Sequence, residues 1–226
     1  FDIQSSAFGS DYDYTRLQLS VNNRLNIAGL KLRTRTYLEH SLGDNLAPQS
    51  RLYAAGARPE KLMNNKYTRS KGFFPNDWIG YGNKTNHFHY GGGLNLRGYS
   101  GYVLPTEDGS GLTFNGYSGA ALNAEVEFDQ YIPFRLDFIS PYIDVDTYLF
   151  GDAGVINSND LGSDLNYDDV KGDAGFGTAL TIEEWPLVET VKPLTIRFDM
   201  PLYLSHRPFV EADNFQFRWI LGVGEN

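Results

Sequence analysis

The segment Pro193–Leu204, PLTIRFDMPLYL, divides by parity: Leu194, Ile196, Phe198, Met200, Leu202 and Leu204 fall on one side, with Thr195, Arg197, Asp199, Pro201, Tyr203 and Ser205 on the other. Successive side chains of an extended chain point to opposite faces, so this is the pattern of a β-strand with one oily and one polar face. The same division recurs upstream. In GAALNAEVEFDQY, Ala120, Leu122, Ala124, Val126 and Phe128 oppose Asn123, Glu125, Glu127 and Asp129. In PYIDVDTYLFGDAGV, Ile143, Val145, Thr147, Leu149, Gly151, Ala153 and Val155 oppose Asp144, Asp146, Tyr148, Phe150, Asp152 and Gly154. DAGFGTALTI sets Ala174, Phe176, Thr178, Leu180 and Ile182 against Asp173, Gly175, Gly177, Ala179 and Thr181, and FQFRWILGV sets Phe215, Phe217, Trp219, Leu221 and Val223 against Gln216, Arg218, Ile220 and Gly222.

Near the start, DYTRLQLSV places Leu17, Leu19 and Val21 opposite Arg16, Gln18 and Ser20. A turn is expected at Asn22–Arg24. LNIAGLKLRTRTYLEH then sets Ala28, Leu30, Leu32, Thr34, Thr36 and Leu38 against Lys31, Arg33, Arg35 and Tyr37. These readings predict seven strands, with an eighth candidate around Leu52. Residues 40–117 form one long excursion, rich in Asn, Gly, Lys and aromatic residues. Excursions of that length inside a β-protein are usually functional or disordered.

Composition agrees with an all-β chain: 226 residues, 15% aromatic, 24 glycines and no helix-period segment. With no cysteine there is no disulfide framework and no thiolate chemistry. A net charge of -9 and only 19 Lys and Arg argue against nucleic acid as a partner. No apolar run reaches the length of a transmembrane helix, which leaves strands of roughly 9–11 residues as the way to cross a bilayer.

Alternation fits two architectures: a sandwich, with the oily face inward, or a membrane barrel, with the oily face toward lipid and the polar face lining a lumen. The alternation persists beyond the usual 5–6 residues of a globular strand, and after residue 118 moderate turns alternate with polar loops. Both features favour an antiparallel up-and-down transmembrane β-barrel, with residues 118–226 supplying its last five strands.

The stretch FHYGGGLNLRGYSGY, Phe88–Tyr102, resembles the signature in the sixth extracellular loop of the BamA-like outer-membrane assembly and translocation factors, a superfamily that includes TamA, the two-partner secretion translocators and the organellar Sam and Toc barrels. Phe88, Gly91, Gly92, Arg97, Gly98 and Tyr99 stand at that spacing, with Leu96 where the family has valine. FGDAG, Phe150–Gly154, resembles the F-x-D-x-G of a later strand, and GFG, Gly175–Gly177, the G-x-G of the strand after that. The resemblance covers Phe88 to the end. It implies that the long loop folds into the lumen and that Arg97 pairs with Asp152. Phe150 and Gly154 would flank that lock, with Gly98 and Tyr99 at its tip, and Gly91, Gly92, Gly175 and Gly177 would give clearance.

Family barrels have sixteen strands preceded by periplasmic domains. The chain is therefore expected to be the C-terminal half of a larger barrel in the bacterial outer membrane. Its implied partners are the lipid bilayer, the N-terminal barrel half, possible periplasmic domains and substrate proteins. The alternatives are a self-contained barrel of about eight strands, the anchor or export barrel of a lipase-like or peptidase-like enzyme lying upstream, and a soluble β-sandwich binding module.

No catalytic residue, cofactor or metal is expected, and the chain is not read as an enzyme. The sequence has no G-x-S-x-G elbow, H-E-x-x-H or P-loop. His87 and His89 would share a face but specify no third ligand. Glu125, Glu127, Asp144 and Asp146 are read as polar lining alongside Lys31, Arg197 and Arg218. Trp78, Trp185 and Trp219 are read as interfacial or packing aromatics.

Overall fold

The computed structural model describes residues 2–5, 9–55, 86–89, 93–100, 104–105, 112–113, 115–128, 143–157, 165, 169–182, 194–207 and 213–224. The strands in chain order are β1 (Asp2–Gln4), β2 (Asp13–Ile27), β3 (Leu30–Asn45), β4 (Leu52–Tyr53), β5 (Asn86–His89), β6 (Leu104–Pro105), β7 (Leu112–Thr113), β8 (Asn115–Gly116), β9 (Ser118–Glu127), β10 (Ile143–Asn157), β11 (Lys171–Ile182), β12 (Leu194–Leu204) and β13 (Trp219–Gly224). The protein is all-β. Nine strands form one sheet in the order β1-β2-β3-β9-β10-β11-β12-β13-β5, and β4-β8 and β6-β7 are two small separate pairs. Every pairing in the large sheet is antiparallel except β13 with β5, which is parallel over Trp219–Gly222 and Asn86–His89.

The long strands are continuous because parity is kept across neighbours. One register row runs Met200, Phe176, Leu149, Val126, Leu32, Leu25 from β12 to β2. A row on the opposite face runs Leu204, Asp173, Asp152, Asn123, Arg35, Asn22. Slipping any strand by one residue would exchange these two sets, which is why alternation fixes the register so strongly.

Burial is inverted relative to a water-soluble sandwich. The oily parity set is exposed: Leu17, Leu19, Val21, Leu25, Ile27, Leu38, Leu122, Leu149, Phe176, Leu180 and Phe198 all lie on the surface. The polar set is buried, including Glu39, Ser41, Asn123, Glu127, Asp152, Asp173 and Asp199. The polar face is also concave. Glu125 of β9 meets Arg197 of β12 at 2.5 Å, although three strand spacings along a flat sheet come to about 14 Å.

Four expectations are corrected. The first turn is not at Asn22–Arg24: β2 runs on through those residues and the hairpin reverses at Ala28 and Gly29, with φ of 52° and 86°. Two consecutive positive φ values match the right-handed twist of a two-residue hairpin, and Gly29 supplies one of them without a Cβ clash. The segment around Leu52 is only the two-residue β4, and it joins β8 rather than the large sheet. β3 extends to Asn45, so the excursion begins later than residue 40. In the last segment, pairing is continuous only from Trp219, with an isolated bridge from Phe215 to Tyr203 before it.

A further correction concerns Leu204. Gly175 pairs with Pro201 while Ala174 pairs with Tyr203, which leaves Leu202 as an extra residue on β12. Pro201 cannot donate to a ladder, and bulges are where a sheet accommodates such a residue. Beyond the bulge the parity of β12 reverses. Leu204 therefore turns to the concave face and is fully buried, while Tyr203 turns outward against Phe215, ring centroids 4.9 Å apart.

Candidate functional site: the docked loop segment

Part of the excursion is docked on the concave face. Leu94 N–H donates to Tyr53 O at 3.1 Å and Leu96 N–H to Ala54 O at 2.9 Å, so Gly93–Leu96 lies beside Leu52–Ala54. The chain then turns through one 3-10 turn at Arg97–Tyr99, closed by Ser100 N–H on Arg97 O at 3.1 Å. Leu52, Leu94, Leu96 and Tyr99 pack with Tyr37, Ala121, Ile156 and Leu204 into a small apolar core. The reversed parity of Leu204 is what lets β12 contribute to it.

Arg97 is 2% exposed and is held from three strands. Its Nε donates to Asp152 Oδ2 at 2.7 Å and its Nη2 to Asp152 Oδ1 at 2.9 Å, a two-pronged pairing that uses the planar fork of the guanidinium. Its Nη1 donates to Glu125 Oε1 at 2.7 Å and lies 3.8 Å from Asp199 Oδ1. The backbone N–H of Arg97 also points to Asp152 Oδ2, at 3.3 Å. The guanidinium carbon sits 3.8 Å above the centre of the Phe150 ring, a cation–π contact. Burial alone would lower the arginine's pKa, but Asp152, Asp199 and Glu125 together raise it well above its ordinary value. The charge is therefore fixed at every ordinary pH.

Around this centre the carboxylates are shared. Glu125 Oε1 also accepts from Arg197, and Arg197 Nε donates to the Tyr148 hydroxyl at 3.0 Å. The Tyr148 hydroxyl donates to Asp199 Oδ1 at 2.5 Å. Nearer the hairpin end, Glu127 takes Arg33 at 2.6 Å and Lys31 at 3.3 Å.

The described glycines among the candidate residues, Gly98, Gly154, Gly175 and Gly177, are places of contact. A Cβ on Gly98 would stand 2.7 Å from Asp173 Cβ, and one on Gly154 would stand 3.1 Å from Leu96 Cδ2. At Gly177 it would fall 2.5 Å from the Tyr148 ring, and at Gly175, 2.8 Å from Pro201 Cα in the bulge. The register explains why the two motifs go together: Phe150 faces Gly175 and Tyr148 faces Gly177, so each aromatic ring of β10 sits opposite a glycine of β11. Tyr99 lodges its hydroxyl near Gly172 O and Ser205 Oγ, both at 3.4 Å, and accepts from His206 N–H at 3.2 Å. Burial raises its phenol above the ordinary value.

The structure thus brings Arg97, Gly98, Tyr99, Phe150, Asp152 and Gly154 together, with Gly175 and Gly177 beside them. Gly91 and Gly92 lie outside the described residues, as do Trp78 and Trp185. His87 and His89 lie on β5, at the edge of the sheet. Trp219 stacks on Phe198 with centroids 5.9 Å apart. Arg218, grouped in the sequence with the polar-face charges, directs its Nη1 at the carbonyls of Leu202 and Gln216, both at 3.2 Å.

Sequence reasoning gave no special part to Asn123, Arg35, Asp199 or Tyr148. The signal was present in parity and motif together: each shares a face with Asp152 or lies in its register row. No family model matches the chain, and no curated protein matches it.

Proposed function

We propose that this chain is a segment of a transmembrane β-barrel of the bacterial outer membrane, of the kind that inserts or translocates proteins, with the segment around Arg97 docked inside the lumen. The observation that carries the membrane part is the inverted sheet. One face exposes a continuous oily surface across β2 to β12, and the other buries carboxylates, amides and arginines. A sandwich of the same strands would bury the first set and solvate the second, whereas a barrel wall wants this arrangement.

The assembly or translocation part rests on the resemblance of the Phe88–Tyr102, Phe150–Gly154 and Gly175–Gly177 motifs to the BamA-like superfamily. The Arg97–Asp152 geometry supports it. On this reading the docked segment closes the lumen, and a substrate strand would add at a seam beside β13, in the place that β5 takes over Trp219–Gly222. The remaining strands and any periplasmic domains would come from the rest of a longer chain, and substrate proteins are the partners.

Extraction tests the membrane part. The protein is expected in the membrane fraction, to need detergent to stay monodisperse, and to migrate faster on gels when unheated. A monodisperse, detergent-free protein sinks the proposal. For the assembly part, depletion should lower the outer-membrane content of other barrels or of one exported protein, and Arg97→Ala should fail to restore it.

A further inference from the structure

The bonds to Tyr53 and Ala54 engage the N–H groups of Leu94 and Leu96, and the Arg97 pin engages a side chain; the carbonyls of Gly93–Asn95 are held elsewhere. Four consecutive strands place Arg35, Asn123, Asp152 and Asp173 in one register row, and the first three touch the segment's main chain or its pin. The buried Asn123 Nδ2 lies 3.2 Å from Leu94 O, 3.1 Å from Asn95 O and 3.1 Å from Asp152 Oδ1. On its other side, Asn123 Oδ1 accepts from Arg35 Nη1 at 2.9 Å, which fixes the amide with its donors toward the segment. Arg35 Nη2 donates to Gly93 O at 2.7 Å, and its guanidinium stacks over Tyr37 at 4.4 Å.

We infer that Arg35 and Asn123 are positioning residues: a second docking point, distinct from the pin, that reads three successive carbonyls, Gly93 to Asn95, rather than any side chain. The local backbone is shaped for it. Asn95 has φ of 56°, in the left-handed region, and this bend is what brings both the Leu94 and Asn95 carbonyls to a single amide. Asn tolerates that conformation far better than a β-branched residue. Because Asn123 also contacts Asp152, it ties the clamp to the acceptor of the pin.

This rests on the proposal that the docked segment is a functional element of the barrel. Trypsin cuts after arginine, and Arg97 is buried in the docked state, so cleavage at Arg97–Gly98 in the folded full-length protein reports undocking. Asn123→Asp would set a carboxylate against two carbonyls and Asp152, and Arg35→Gln would release Gly93. Each is expected to raise the cleavage rate about tenfold or more, with gel mobility of the unheated barrel unchanged.

The decisive pair changes no strand residue. Asn95→Val is expected to match Asn123→Asp, whereas Asn95→Gly, free to adopt the same φ, stays within about twofold of the parent. These loop variants decide the matter if a wall variant does not fold. Unchanged cleavage in Asn123→Asp and Asn95→Val, or equal loss in Asn95→Gly and Asn95→Val, overturns the inference. Detergent-free solubility would overturn the membrane reading instead, and the cleavage series would still decide the clamp.

Discussion

Strands β2 and β10 have the same length, 15 residues, and the same alternation, yet they are packed in opposite ways. From Leu17 to Ile27 every residue of β2 is exposed, on both faces. In β10, Tyr148, Phe150, Asp152 and Gly154 are buried, and from there to Asn157 both faces close over. The sheet accounts for part of the difference: β10 has long partners on both sides, whereas beyond Arg16 the outer edge of β2 is open. What covers β10 is the excursion, through Leu52, Leu94, Leu96 and Arg97. A polar strand face is thus left solvated in one place and converted into a buried ionic centre in the other.

The largest effect that would break this contrast is removal of the pin. Arg97→Ala leaves Asp152 buried without its fork, and Asp152→Asn does the converse; each is expected to cost about 3–5 kcal/mol, since an unpaired buried charge carries its full desolvation penalty. In a double-mutant cycle read by urea titration in detergent, the two losses should be strongly non-additive. Full additivity would mean that the two groups do not act as a pair. The counterpart on the solvated strand, Arg24→Ala, should change stability by no more than about 0.5 kcal/mol.

The next contrast is apolar. Leu94 is fully buried in the small core, whereas Leu19 is 56% exposed. Leu94→Ala is expected to cost about 2–5 kcal/mol because it opens a cavity among Leu52, Leu96 and Ile156. Leu19→Ala opens none and should cost clearly less. Equal losses at the two sites would show that the docked segment contributes little to the stability of the sheet it rests on.

These sites also mark what could be read in advance. Period-two patterning gave the six long strands, β2, β3 and β9 to β12, because a strand with one oily face has only one workable register. It failed where a single residue changes the count. The bulge at Leu202 sends Leu204 inward although its parity says outward, and nothing in PLTIRFDMPLYL except Pro201 signals it. The turn at Ala28–Gly29 was hidden by the more turn-like Asn22–Arg24, because composition does not reveal which residues will accept positive φ. Within the site, short motifs named Arg97 and Asp152, but the clamp was not legible. Asn123 acts on main-chain carbonyls, which leave no mark on the sequence of the segment they belong to.

The smallest effect concerns Tyr99, whose hydroxyl accepts from His206 N–H at 3.2 Å. At neutral pH, Tyr99→Phe is expected to cost about 1 kcal/mol, the usual net worth of one such bond. The difference then shrinks as pH rises. Burial raises the phenol in the folded protein above its ordinary value of 10.0, so its stabilising contribution is fully present below that value and is lost as pH rises through it toward the folded one. The Phe variant has no proton to lose. Urea titrations at stepped pH should therefore show the gap between parent and variant constant up to about pH 9, then narrowing as the parent alone weakens. Parallel curves through pH 11 would place the Tyr99 hydroxyl in water, and with it the 3-10 turn that carries Arg97 into the concave face.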